Sequence, residues 1–139
     1  MYTAHATATG GRSGHVESRD GAIALDLAMP PEMGGPGGGA NPEQLFAAGY
    51  SACFHSALQF VASDKDQDVS GSSVEAHVSI GENDAGPGFK LGVSLDIKIP
   101  TLSQEKAQAL AEATHQVCPY SNATRGNIAV ELNVTGGQS

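Results

Sequence analysis

From Leu45 to Ala62 the chain carries no Asp, Glu, Lys or Arg, and this stretch restricts the possible folds more than any other. A run of that kind either crosses a bilayer, which takes about 20 apolar residues as a helix, or lies inside a protein. Ser51, His55, Ser56 and Gln59 interrupt it, while Ala47, Ala48, Gly49, Ser51 and Ala52 are small enough for close packing. The expectation is therefore a buried central helix and no membrane span. Its start is well marked, with Asn41 as N-cap, Pro42 at the first helical position and Glu43 in the first turn, near the positive end of the dipole. It should run to about Ala62. Being apolar on nearly all sides, it belongs at the centre of the fold or in a subunit interface.

Period-two alternation places strands on either side of this helix. Tyr2–Thr9 sets threonines and His5 against alanines, and Gly10-Gly11 then breaks the strand just before Arg12. A second strand is expected at His15–Ser18 and a third at Ala22–Ala28, joined by an Asp20-Gly21 turn that tolerates positive φ. Pro30 to Ala40, rich in Gly and Pro, reads as a loop, and it lacks the Gly-Lys-Ser/Thr ending of a phosphate cradle. Val74–Ile80 and Leu91–Ile99 form a hairpin around the Asn83–Gly88 turn, with Pro100 expected to stop the second strand. Ser103 caps a second helix whose core face is Ala107, Leu110, Ala111, Thr114 and Val117. That helix must end near Cys118, because Pro119 biases its predecessor away from helical geometry. A last strand spans Ile128–Val134. The order of elements predicts an α+β fold with mainly antiparallel sheet.

At 139 residues one domain, 1–139, is expected, large enough to bury a core without disulfide or metal staples. Lys+Arg 7 against Asp+Glu 15 leaves a net charge of −8, which disfavours contact with phosphate backbones, so no nucleic-acid partner is expected. No signal peptide is read at the N-terminus, and a cytoplasmic location is expected.

Two cysteines are too few for a disulfide scaffold but enough for a redox pair. Cys53 falls in the middle of the apolar helix and Cys118 at the end of the other. A single cysteine on a buried helix is usually an inert small hydrophobe. Reactivity requires the thiolate, and burial alone raises a thiol's pKa, so a positive charge must be found. The chain has three arginines, Arg12, Arg19 and Arg125, and Arg12 follows a Gly-Gly break where the backbone can turn a long side chain inward. A guanidinium stays charged even in apolar surroundings. A carboxylate would hold its fork, and Glu43 is the natural choice. Along one straight helix Glu43 and Cys53 lie about 15 Å apart. Either Arg12 bridges part of that distance, or the helix packs antiparallel to a copy of itself and the partner supplies one component. A competing reading takes His115 and Cys118, three apart on one helix face, as zinc ligands joined by Cys53; no fourth ligand is evident, and no metal is expected. A Ser-His-Asp hydrolase reading lacks a Gly-x-Ser-x-Gly elbow.

The run Asn41-Pro42-Glu43-Gln44-Leu45-Phe46-Ala47-Ala48-Gly49-Tyr50-Ser51-Ala52-Cys53-Phe54, with His115-Gln116-Val117-Cys118-Pro119-Tyr120-Ser121-Asn122-Ala123 far downstream, resembles the organic hydroperoxide resistance branch of the OsmC/Ohr family. Tyr2-Thr3-Ala4, Ala8-Thr9-Gly10-Gly11-Arg12 and Gly34-Gly35-Pro36 match as well, so the likeness covers nearly the whole chain. It departs locally in the three glycines before Ala40. The resemblance implies an OsmC/Ohr-like fold, mainly antiparallel sheets around two helices, with the central apolar helix buried in an intertwined homodimer. It implies a thiol-dependent peroxidase that reduces alkyl and fatty-acid hydroperoxides in the response to oxidative stress. By that likeness Cys53 is the peroxidatic cysteine, Cys118 the resolving one, Arg12 the group that activates the thiolate and Glu43 the group that orients Arg12. Phe46, Tyr50 and Phe54 are candidates for an apolar substrate pocket. No bound cofactor is implied; the reductant would be a dihydrolipoyl dithiol on a lipoylated protein. A non-catalytic dimeric module that binds a small apolar ligand is the alternative from another class.

Overall fold

The computed structural model describes residues 1–137, and the chain divides into two compact units, residues 1–45 and the remainder from Phe46. The first unit holds a three-stranded antiparallel sheet in the order β1 (Ala6–Thr9), β2 (His15–Ser18), β3 (Ala24–Asp26). β2 spans the expected residues, while β1 and β3 are shorter than the alternation predicts. Ala22 and Ile23 are drawn instead into the Asp20-Gly21 turn, where Asp20 accepts hydrogen bonds from Ser18 Oγ and Ala22 N–H. Gly21 takes φ 77°, as the turn requires. A short helical turn at Gly11–Ser13 links β1 to β2, and another at Pro31–Met33 lies within the Gly/Pro-rich segment.

Helix α1, Pro42–Asp64, opens on the predicted cap. Asn41 Oδ1 accepts the Gln44 N–H at 2.8 Å, and Gln44 Oε1 accepts the Asn41 N–H at 3.1 Å, a reciprocal capping box. Only one stripe of the helix is fully buried, Tyr50, Phe54, Leu58 and Ala62, each four residues from the next and hence on one face. Phe60 remains two-thirds exposed.

The second unit is built on a three-stranded sheet in the order β4 (Ser73–Glu82), β5 (Phe89–Ser103), β6 (Val130–Gly137). β4 and β5 are the expected hairpin. β6 lies parallel to β5, because two helices intervene: α2 (Gln104–Val117) and α3 (Pro119–Thr124) supply the crossover that parallel pairing needs. Pro100 does not stop β5. The β4 ladder has already ended at the Ser73–Lys98 pair, and the β6 ladder shifts register between Ile99 and Ser103. Proline lacks only an N–H that no neighbour requires at such a bulge. Val93, Leu95, Ile97 and Ile99 alternate inward from β5 and pack with the α1 stripe and with Ala107, Leu110 and Ala111 of α2. Each buried Val, Leu or Ile among them contributes about 1.5–3 kcal/mol, so this packing is the main source of stability.

Candidate active site

Arg12 and Glu43 meet in the first unit. Arg12 Nη1 donates to Glu43 Oε2 at 2.8 Å and Nη2 to Oε1 at 2.6 Å, so the guanidinium fork is matched by both carboxylate oxygens of the same chain. This pairing fixes orientation as well as charge. The backbone makes it possible. Gly10 and Gly11 adopt φ 75° and 58°, which suit glycine, and the turn that follows carries Arg12. Gly14 closes the turn against the chain: a Cβ there would lie 1.7 Å from the Thr9 carbonyl oxygen. The hydrogen bond to Arg12 holds the Glu43 carboxyl below the ordinary carboxylate range, and Glu43 in turn raises the already basic guanidinium.

Cys53 and Cys118 meet in the second unit. They are 65 positions apart in sequence, yet Cys118 Sγ stands 3.8 Å from Cys53 Sγ, with both thiols free. A disulfide needs about 2.05 Å, so a small movement of one helix end would join them. Cys118 is fully buried and forms the joint between helices: it ends α2 with extended backbone and stands as N-cap of α3, with Pro119 in the first turn. Cys53 is half-buried on α1. Burial pushes its thiol up, a hydrogen bond from the Tyr120 backbone pulls it down, and the neighbouring Cys118 raises it again. On its own, then, this sulfur is a poor thiolate. It needs a cation.

The aromatic candidates divide. Tyr50 and Phe54 are fully buried and belong to the core. Phe46 borders a cleft of about 470 Å³ with Phe89, Leu91, Ile128, Asn83 and Asn127. Phe46 also packs edge-on against Tyr50 and Tyr120, with ring centroids 6.1 and 5.9 Å away. Gly49 makes room for the Tyr120 ring, since a Cβ there would sit 2.6 Å from its hydroxyl oxygen. The sequence held a signal for this contact: a glycine inside a helix costs about 0.5–1 kcal/mol relative to alanine and so marks a close approach. The part played by Tyr120, at both the ring cluster and the Cys53 sulfur, was not read from the sequence, nor was the short helix α3 that presents it.

His115, considered above as a metal ligand, turns its Nδ1 to Ser121 Oγ at 2.8 Å. Among the described residues no three His, Cys, Asp or Glu side chains gather as a metal site would require. His55 Nε2 pairs with Ser72 Oγ at 3.0 Å.

A sheet backed by a half-exposed cysteine helix, with a second cysteine closing on it from an interhelical joint, defines a class of two-thiol α+β proteins. The sequence profile of OsmC-like proteins matches residues 35–133, and the chain belongs to that family. The organic hydroperoxide resistance protein of Xanthomonas axonopodis pv. citri is 50% identical over 136 residues, covering 96% of this chain and 94% of that protein. The crystal structure of the organic hydroperoxide resistance protein OhrB of Bacillus subtilis superposes with a TM-score of 0.88 at 46% identity, covering 96% of this chain and 98% of that one. An organic hydroperoxide resistance protein from Elizabethkingia anophelis gives a TM-score of 0.92 at 51% identity, over 99% and 98% of the two chains. The chain thus falls in the branch of the family that its two cysteine motifs resemble.

Proposed function

We propose that this chain protects against organic hydroperoxides as a thiol-dependent peroxidase. The observation that carries this reading is the 3.8 Å approach of Cys53 and Cys118 across 65 positions of sequence. Two buried or half-buried thiols in van der Waals contact, both reduced, are what a disulfide-forming pair needs before it reacts.

The chemistry balances in two steps. The Cys53 thiolate attacks the distal oxygen of ROOH, the O–O bond breaks, and ROH leaves once a proton is taken up, giving Cys53–SOH. The Cys118 thiol then attacks that sulfur, forming the Cys53–Cys118 disulfide and releasing water. Exchange with an external dithiol restores both thiols, and a dihydrolipoyl group on a lipoylated protein is the reductant we assign. Arg12, fixed by Glu43, is assigned the positive charge that the Cys53 thiolate requires, because burial otherwise keeps this thiol protonated. Phe46 and its cleft favour an alkyl or fatty-acid tail over hydrogen peroxide, whereas Tyr50 and Phe54 are buried in the core and do not line that cleft. The uncovered sides of α1, where Phe60 stands exposed, are assigned to a homodimer interface. A cytoplasmic location suits thiols that must be reduced after each cycle.

The test is a coupled assay of an alkyl hydroperoxide with dihydrolipoamide. Turnover by the wild-type chain and none by Cys53→Ser is the expected result. Full turnover by Cys53→Ser, or none by the wild type, would overturn the proposal.

A further inference from the structure

Beside the two thiols lies a chain of buried hydroxyls that the peroxidase chemistry does not use. Ser121, in α3 and three residues beyond Cys118, is fully buried. Its Oγ lies 2.8 Å from the Tyr50 hydroxyl and 2.8 Å from His115 Nδ1. The Tyr50 hydroxyl in turn lies 3.3 Å from Thr124 Oγ1, which donates to the carbonyls of Tyr120 and Ser121 at 3.1 and 3.2 Å.

The protons can be placed by elimination. A carbonyl only accepts, so the one hydroxyl proton of Thr124 goes to the α3 backbone. Thr124 therefore accepts from Tyr50, Tyr50 accepts from Ser121, and Ser121 accepts from the Nδ1–H of His115. The result is a one-directional chain that ties α1, α2 and α3 together and ends on the backbone of α3. Every member is satisfied, which is the condition under which a buried polar network stiffens a core.

Helix α3 needs such an anchor. Six residues cannot hold a helix alone, and Cys118 gives its N-terminus no side-chain cap. Yet Cys118, at the N-cap of α3, carries the sulfur that stands 3.8 Å from Cys53. We propose that Ser121, with Tyr50 and His115, forms a positioning network that holds α3 so that Cys118 stands against Cys53, setting the effective concentration of one thiol at the other. As a statement about the resolving step this rests on the peroxidase reading. As a statement about thiol geometry it stands apart from it.

The experiment is an equilibrium titration of the full chain in glutathione buffers, protein dithiol plus oxidised glutathione giving protein disulfide plus two reduced glutathiones. The disulfide is counted by alkylation and mass spectrometry. Ser121→Ala is expected to need about five- to tenfold more oxidised glutathione at fixed reduced glutathione to reach half-oxidation. Tyr50→Phe, which deletes one oxygen and keeps the ring, is the second variant should Ser121→Ala fail to fold, and the same direction is expected. With excess alkyl hydroperoxide both variants should accumulate more Cys53 sulfinic acid per turnover than the wild type, because the sulfenic acid waits longer for Cys118. A midpoint unmoved or shifted the other way in both variants, even with lowered thermal stability, would show a merely structural role and overturn the inference. A wild-type disulfide that forms with glutathione but never with hydroperoxide would overturn the peroxidase reading, while the midpoints of the variants would still decide the network.

Discussion

The two pairs to which the chemistry is assigned are held by opposite means. Arg12 and Glu43 are joined by charge: two hydrogen bonds of 2.8 and 2.6 Å on a glycine turn that solvent reaches. Cys53 and Cys118 are joined by packing: weakly interacting sulfurs brought to 3.8 Å because the helices that bear them share a dry core with β5. The first pair should therefore respond to charge and backbone substitutions, and the second to helix anchorage. A redox pair placed by packing can close to a disulfide and reopen without any change of net charge at its anchors. A guanidinium clamped at both nitrogens is instead fixed in orientation.

The sharpest break between the pairs comes from removing the second sulfur. Cys118→Ser should complete about one oxidation per chain under excess alkyl hydroperoxide and then stop, as Cys53 proceeds to sulfinic acid. Mass spectrometry of the treated variant would show the two added oxygens, and sustained cycling of this variant with dihydrolipoamide would refute the resolving role. The charge pair is tested next. Arg12→Ala should raise the Cys53 pKa and slow the first oxidation about 10- to 100-fold, with the Cys53–Cys118 midpoint in glutathione buffers little changed. Thiol alkylation followed against pH reads the shift directly, and an unchanged profile removes Arg12 from the mechanism. Arg12→Lys should recover only part of the rate, since an ammonium cannot match both oxygens of Glu43.

How far each pair could be read from the sequence follows from how each is held. The charge pair was legible because its ingredients are local and scarce: a Gly-Gly break just before one of three arginines, and an acidic residue in the first turn of a well-capped helix. The cap itself appears as read, with Gln44 completing it. The strand pattern was legible for the same reason, since period two is a local property. What escaped was set by partners distant in the chain. Pro100 continues β5 because the neighbouring ladders end or bulge there, which no window around Pro100 could reveal. Tyr50 and Phe54 qualified as pocket residues by type, and only the packing of α1 on the sheet shows them to be core. Helix α3 is six residues beginning at a proline, too short for periodicity to register, so the arrangement that brings Cys118 to Cys53 lay outside what spacing could give. The resemblance to a family, not the pattern of residues, linked those two cysteines.

Smaller effects should separate the pairs further. Gly14→Ala puts a methyl where the Thr9 carbonyl oxygen already stands, and relieving that clash should cost about 1–3 kcal/mol in thermal or denaturant unfolding. If the turn is what aims Arg12, the variant should also lose first-oxidation rate while its Cys53–Cys118 midpoint stays where it was. A variant that unfolds earlier but oxidises at full rate would detach the turn from the chemistry.

The smallest effect concerns protons on Glu43. Its folded pKa lies below the ordinary carboxylate value because Arg12 hydrogen-bonds the charged form. A depressed carboxylate adds stability above its unfolded pKa, near 4.5, and that stability is lost as the pH falls through the lower folded value. Unfolding temperatures of wild type and Glu43→Gln should therefore differ most near neutral pH and converge in acid, with the wild type the one that falls. High salt should narrow the gap at neutral pH, because solvent reaches this pair and screening weakens it. The packed thiols give the contrast: Ser121→Ala should keep its glutathione midpoint shift at the same salt concentrations, since the hydroxyls of Ser121, Tyr50 and Thr124 carry no charge for salt to screen. A salt-sensitive midpoint in that variant, or a salt-insensitive gap for Glu43→Gln, would mean that charge and packing do not divide between the two pairs in this way.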